Sequence, residues 1–480
     1  TTEIYPLSLH DALPIYAVID KPGSQAFLDQ LERANLFLIP LDDDQHWYRY
    51  HHLFAEFLRK RLKQLLPERL PQLHQRATDW YSENHMYSEA IRHALAAGDM
   101  ERVQQSAAGD ALAMVENSEL SDILKQFEEL SDQQLSPDPW AIIAYAWAKA
   151  YADPSIGMND LIQKVEQVLV CMEEDAEKQH LTSHLAAIRA YLAWMKGEAE
   201  LALELVQHGL ENLPEEDWAA RVHLLNIKGL ALQYRGNFLE ATQSFEEALA
   251  AGHMIGRMHE ILYTSSNLAY ANMLQGHLHE AFSLCQAAIC QAEETGQSSQ
   301  KFPVLAHAYA TRSIIQLEWN ELESAAASAR YGVTLAEQWG QADALHFALT
   351  CFSIILGAAG EFEEALAVNQ RAMQVARTIS TWYIRISAEN EIMLLLAKGD
   401  VLGAANKFTS YWLTSEDDRK HEPQLVIVTL LYRLNLFPDV VNLLEPLHDD
   451  FKQKGWNQLW IKLMPFRSEE HTSELQSRQS

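Results

Sequence analysis

The 480-residue chain carries 66 acidic residues against 37 basic ones, a net charge of −29, and 48% of it is apolar. That much apolar sequence excludes a disordered chain, and the charge has the wrong sign for wrapping nucleic acid or docking on anionic lipid. No apolar run approaches the ~18 residues of a membrane span, the four cysteines form no C-x-x-C pair, and 19 glycines and 15 prolines are sparse punctuation. A cytoplasmic, thiol-reduced, mostly helical protein is expected.

Both ends look foreign. Residues 1–15 (TTEIYPLSLHDALPI) resemble one reading frame of a sequencing-library adapter, and 467–477 (RSEEHTSELQS) one frame of the opposite adapter. Segments 1–15 and 467–480 are therefore expected to be artefact. Residues 16–70 read as the tail of a winged-helix module. They give a helix over 24–34, strands at 36–40 and 47–50 around a turn at 42–45, then an amphipathic helix over 52–66. The basic cluster of Arg59, Lys60, Arg61 and Lys63 reads as a solvated helix face. Residues 71–185 read as linking helices: a pair over 73–97, a break at 136–139, and a fresh helix from Trp140.

From 186 to 466 a repeat dominates. Six short motifs recur, with Gly197, Gly236, Gly276, Asn320, Gly360 and Gly399 at their centres, spaced 39, 40, 44, 40 and 39 residues apart. Gly or Asn suits the left-handed residue that ends a helix. Glu198, Glu321, Glu361 and Asp400 follow where the next helix dipole favours negative charge. Five residues after each centre stands an alanine (Ala202, Ala241, Ala281, Ala325, Ala365, Ala404), small enough for two antiparallel helices to approach closely. The pattern resembles the tetratricopeptide repeat, most clearly over 226–249, where Gly229, Gly236, Ala241, Phe245 and Ala248 hold signature offsets. The expected fold is all-α: a right-handed α-solenoid of tetratricopeptide-like helix pairs with a small N-terminal winged-helix remnant. After a charged loop at 415–423, one more pair is expected over 425–447.

The run WYRYHHLFAEFLRKRL (47–62), followed by LHQRATDWYSEN and EAIRHALAAGD, resembles the MalT-like branch of LuxR-type transcriptional regulators. These are signal-transduction ATPases with a nucleotide-binding domain, a winged helix, a superhelical sensor and a helix-turn-helix. The resemblance covers about 24–463 and implies an inducer-sensing and regulatory fragment of an ATP-dependent activator. It also implies ATP or ADP as cofactor and self-association in the full-length protein. In related ATPases a Met-His-Asp motif sets its His against the nucleotide phosphate. Tyr50-His51-His52-Leu53 aligns with it, with Tyr for Met and His for Asp, which would make His51 the nucleotide sensor. The alternative reading is a stand-alone repeat scaffold for protein partners.

The chain holds no G-x-x-x-x-G-K-[ST] phosphate loop, no helix-turn-helix signature and no catalytic constellation, so no enzyme, no direct nucleic-acid binding and no membrane contact are expected of it. His180 and His184 share a helix face, but the sequence reading finds no acid to complete a metal site. The remaining candidate is a ligand face. Positions −13, −10, −6 and −3 from each repeat centre share one side of the first helix. In the first three repeats that side carries His184, Tyr191 and Trp194, then His223, Asn226 and Gln233, then Tyr263, Ser266 and Tyr270, with Tyr234 adjacent. Later it turns aliphatic (Ile314, Leu317, Ile354, Ile386, Met393, Leu396). Rings beside amide, hydroxyl and imidazole groups suit a small polar inducer such as a sugar, or a protein one. The alternative is that these side chains simply pack between repeats.

Overall fold

In the computed structural model the described residues are 38–40, 48–50, most of 60–109, 139–152, 157–294 and 302–412, with a few isolated positions. Strands β1 (Leu38–Pro40) and β2 (Tyr48–Tyr50) pair antiparallel, with Leu38 opposite Tyr50 and Pro40 opposite Tyr48, inside the two segments expected from the sequence. All other described elements are helical. The helix expected at 24–34, both adapter-like ends, the 415–423 loop and most of the 425–447 pair lie outside the described residues.

Two compact units meet in sequence at Glu174. The first holds the hairpin and α1 (Leu70–Glu83), α2 (Tyr87–Ala97), α3 (Met100–Gly109), α4 (Pro139–Ala152) and α5 (Met158–Cys171). Helices α1 and α2 form the pair read from the sequence, closed over Ala77, Tyr81, Ala90, Ile91 and Ala94, and α2 stops at Gly98 in the left-handed region. In α4 the expected fresh helix buries Trp147 completely.

The second unit is an α-solenoid. Its pairs are α6 (Ala176–Lys196) with α7 (Ala199–Asn212), α8 (Trp218–Tyr234) with α9 (Phe238–Ile255), and α10 (Met258–Leu274) with α11 (Leu278–Glu294). They continue as α12 (Ala306–Glu318) with α13 (Leu322–Trp339), α14 (Ala342–Ala358) with α15 (Phe362–Ile379), and α16 (Thr381–Lys398) with α17 (Val401–Trp412). All six repeat centres take positive φ, from 61° at Asn320 to 92° at Gly399. The turn bonds are alike at glycine and asparagine centres: Glu198 N–H donates to Ala193 O at 2.9 Å and Glu321 N–H to Gln316 O at 2.8 Å, which satisfies carbonyls the ending helix would leave bare. The six alanines five residues on are all 0% exposed, so any larger side chain there would push a pair apart. One apolar cluster then runs from Leu262 on α10 to Leu394 on α16, the continuous core that stacked pairs create.

Candidate ligand face and an imidazole–carboxylate cluster

The first helices α6, α8, α10, α12, α14 and α16 each touch the next one along, and among the described residues the row bends until α16 meets α6. Ser380 Oγ, at the start of α16, donates to Met195 O on α6 at 2.8 Å, and Tyr383 Oη lies 3.9 Å from Met195 Sδ. Trp382 stands edge-on to Tyr234 with centroids 4.4 Å apart. The face carrying the sequence-predicted ligand residues is thereby enclosed by its own repeats.

Enclosure gives those residues protein partners. His184 Nε2 meets Asp217 Oδ2 at 2.9 Å. Tyr191 is buried with its ring centroid 5.8 Å from that of Trp194. Asn226 Nδ2 donates to Thr264 Oγ1 at 2.9 Å and Ser266 Oγ to Leu262 O at 2.7 Å. His223 is buried with Nδ1 3.9 Å from Glu260 Oε2. Tyr270 sets its edge on Phe347, and Tyr263 packs at right angles to His307 and Trp339. The structure therefore brings His184 and His223 into one polar group and Asn226 with Thr264 into another, while Trp194 and Tyr234 lie near the closing contact with α16. Gln233 is half-buried and its Oε1 has no hydrogen-bond partner. His51 lies outside the described residues.

The sequence reading missed the charge buried on this face. Glu260 is 3% and Asp343 7% exposed. Burial raises both carboxyls above their ordinary values, Asp343 to about 6, where two backbone N–H groups only partly offset it. Burial likewise lowers His223 to about 3 and His259, His307 and His346 to about 4, because a charged ring is poorly solvated there. His346 Nε2 sits 2.9 Å from Ser387 Oγ. Glu260 Oε2 and His307 Nε2, like Gln233 Oε1, are buried without a hydrogen-bond partner. His307 was findable, since it stands at position −13 of its own repeat.

A correction concerns His180 and His184. The structure supplies the acid the sequence reading did not find: Asp217, the N-cap of α8, accepts Ala220 N–H at Oδ1 (2.9 Å) and meets both imidazoles at Oδ2. Burial alone would raise its pKa. The two imidazole hydrogen bonds and the helix N–H outweigh that and hold the carboxyl well below the usual range. Cys285 is buried and Cys290 exposed. Among the described residues no helix is long and apolar enough to cross a membrane.

Comparison with known proteins bears on this arrangement. The profile of the MalT-like TPR region matches residues 183–466 and that of the MalT winged helix domain residues 12–70. The HTH-type transcriptional regulator MalT of Cronobacter sakazakii is 28% identical over 335 residues, which is 68% of this chain and 36% of the relative. Its Klebsiella pneumoniae counterpart is 29% identical, over 68% of this chain and 35% of the relative. The chain thus spans about a third of the length of the curated relatives it matches. Among solved structures, a signal transduction ATPase with numerous domains and a tetratricopeptide repeat sensor, from Pyrococcus horikoshii, aligns at TM-score 0.47 and 15% identity. That alignment covers 84% of this chain and 60% of that one. A Rap protein complexed with competence and sporulation factor aligns at TM-score 0.48 and 13% identity, over 81% and 98%. With more than half of its length matched by the repeat profile and the segment before it by the winged-helix one, the chain belongs to the MalT-like TPR family and comprises a MalT-type regulatory region.

Proposed function

We propose that the chain is the inducer-sensing part of an ATP-dependent transcription activator, and that a small polar inducer binds on the first-helix face formed by roughly residues 184 to 270. The observation that carries this reading is the set of buried polar atoms without hydrogen-bond partners on or beside that face: Gln233 Oε1, Glu260 Oε2 and His307 Nε2. Each such atom costs about 1–3 kcal/mol unless something pairs with it. A polyhydroxylated ligand would supply the missing donors and acceptors, and the half-buried rings of Tyr263 and Tyr270 offer apolar faces to stack on. Because α16 closes over α6, binding there would couple to how the repeats sit against each other, a natural input for a regulator.

The nucleotide step and promoter recognition belong, in this proposal, to segments of the full-length protein that carry a phosphate loop and a reading head. The present sequence contains no G-x-x-x-x-G-K-[ST], so purified chain should show neither ATP turnover nor binding to a defined operator. Calorimetry against a panel of mono- and oligosaccharides tests the sensing role. Binding that weakens tenfold or more in both Gln233→Ala and Tyr270→Ala supports it, and unchanged affinity in both rejects it.

A further inference from the structure

Among the described residues, one place brings three possible metal-ligating atoms within 4.8 Å of one another: His180, His184 and Asp217. The two histidines stand one turn apart on α6, with ring centroids 5.1 Å apart, and the i, i+4 spacing sets both imidazoles on one side of the helix. Both aim Nε2 at the same oxygen, Asp217 Oδ2, at 2.6 and 2.9 Å. The carboxylate comes from the next repeat and is not free to swing, because its other oxygen caps α8 through Ala220 N–H. A ligating group oriented by a second hydrogen bond is the usual build of a metal site. Exposure is graded: the His184 side chain is 3% accessible, Asp217 15% and His180 21%. The cluster is thus closed on the helix side and reachable from solvent at His180.

We propose that His180, His184 and Asp217 form a binding site for a divalent transition metal, with zinc as the ion that fits best, joining the first repeat to the second. Two imidazole nitrogens and one carboxylate oxygen suit a borderline cation and leave a fourth, solvent-facing position for water. Metal–ligand bonds of about 2.0–2.2 Å in a tetrahedron place ligand atoms roughly 3.4 Å apart. The Nε2–Oδ2 contacts at 2.6 and 2.9 Å need to open by about 0.8 and about 0.5 Å, which small side-chain rotations provide. On binding, each imidazole presents an unprotonated Nε2 with its proton on Nδ1, and any second proton on a ring leaves to solvent. The two N–H···O contacts are replaced by two N–metal bonds and one O–metal bond. Without an ion the same three groups act as a hydrogen-bonded clip, so the two states differ in how firmly α6 is held to the start of α8.

The test uses the full chain stripped with a chelator. Zinc is titrated by calorimetry, and cobalt is added in parallel for its visible d–d absorption. The expected result is one zinc per chain with sub-micromolar affinity, intense cobalt bands, and a melting temperature raised by zinc. His180→Gln, at the most exposed position, and Asp217→Asn, which keeps an oxygen for the helix cap, should each weaken zinc binding by about 100-fold or more while keeping the helical circular dichroism. Zinc binding weaker than micromolar in the wild type, or affinity unchanged in both variants, overturns the proposal; the latter places the ion at another of the 20 histidines. Should a variant lose its helical signal, the wild-type cobalt spectrum decides alone, and absence of d–d bands overturns it.

Discussion

Two glycines in neighbouring helices should respond to the same substitution with opposite signs. Gly229 lies inside α8, and a Cβ built on it would stand 2.4 Å from Phe245 Cε1, 2.6 Å from Cζ and 2.7 Å from Cδ1. Carbon pairs settle near 3.5–4.0 Å, so the ring would have to retreat by about 1 Å. Phe245 is 0% exposed and seated among Leu232, Ala241, Leu268 and Ala271, with no room to retreat. Overpacking of this kind costs up to about 3 kcal/mol. The helix-propensity gain of alanine over glycine returns about 1 kcal/mol. Gly229→Ala should therefore lose about 2 kcal/mol. Gly252, inside α9, meets nothing closer than Ile261 Cγ1 at 3.6 Å, an ordinary contact. Gly252→Ala should keep the propensity gain and stabilise by about 0.5–1 kcal/mol. Urea midpoints followed by far-ultraviolet circular dichroism read both. A Gly229→Ala chain as stable as the wild type would refute the close-approach argument, and a destabilised Gly252→Ala would refute the propensity argument.

Gly360 has φ +83° and nothing within 4 Å of a built Cβ, so Gly360→Ala isolates backbone strain and should cost about 1–2 kcal/mol in the same assay. Acid should destabilise the solenoid from an unusually high pH. Below about 6.5 the unfolded forms of His259, His307 and His346 take up protons that the folded forms refuse until about 4, so stability falls as pH drops through that window. Asp343 acts in the opposite sense. Its folded carboxyl stays protonated up to about 6, so its burial is a growing cost as pH rises from about 4 to 6. Asp343→Asn should raise the melting temperature near pH 7 and steepen the acid loss, and melting curves from pH 7.5 to 4.5 check both. Trp382→Ala removes the edge contact with Tyr234 and the Arg385 guanidinium 4.2 Å from its ring centroid, together worth about 1–2 kcal/mol. Hydrogen exchange should then quicken at the end of α6.

The repeat was legible because its signals are local. A helix-ending glycine or asparagine and an alanine five residues later act within one turn-and-a-half of chain, and all six copies fold as that spacing implies, Asn320 included. The hairpin was legible for the same reason. The candidate face was only half legible. Spacing identified which side chains share a side of each first helix, yet what they meet is set by the next repeat and by the far end of the row. Asp217 was not singled out in the sequence, because its pairing with His180 and His184 depends on how α6 packs against α8, 33 to 37 residues away. Glu260 and Asp343 stand in the first turns of α10 and α14, where acids are ordinary and favourable to a helix dipole. Their burial follows from enclosure by other repeats, for which no local pattern exists.

The bond from Ser380 Oγ to Met195 O spans 185 residues. In an open array each unit leans on its neighbours alone, the two ends fray independently, and total stability is close to a sum over units. Here the first and sixth pairs share a seam, so fraying at one strips a partner from the other. During synthesis the first pair stays incomplete until α16 has emerged. These six pairs should therefore melt more like a closed hoop than a stack of tiles, and a truncation that removes α16 should loosen α6 on the other side of the seam.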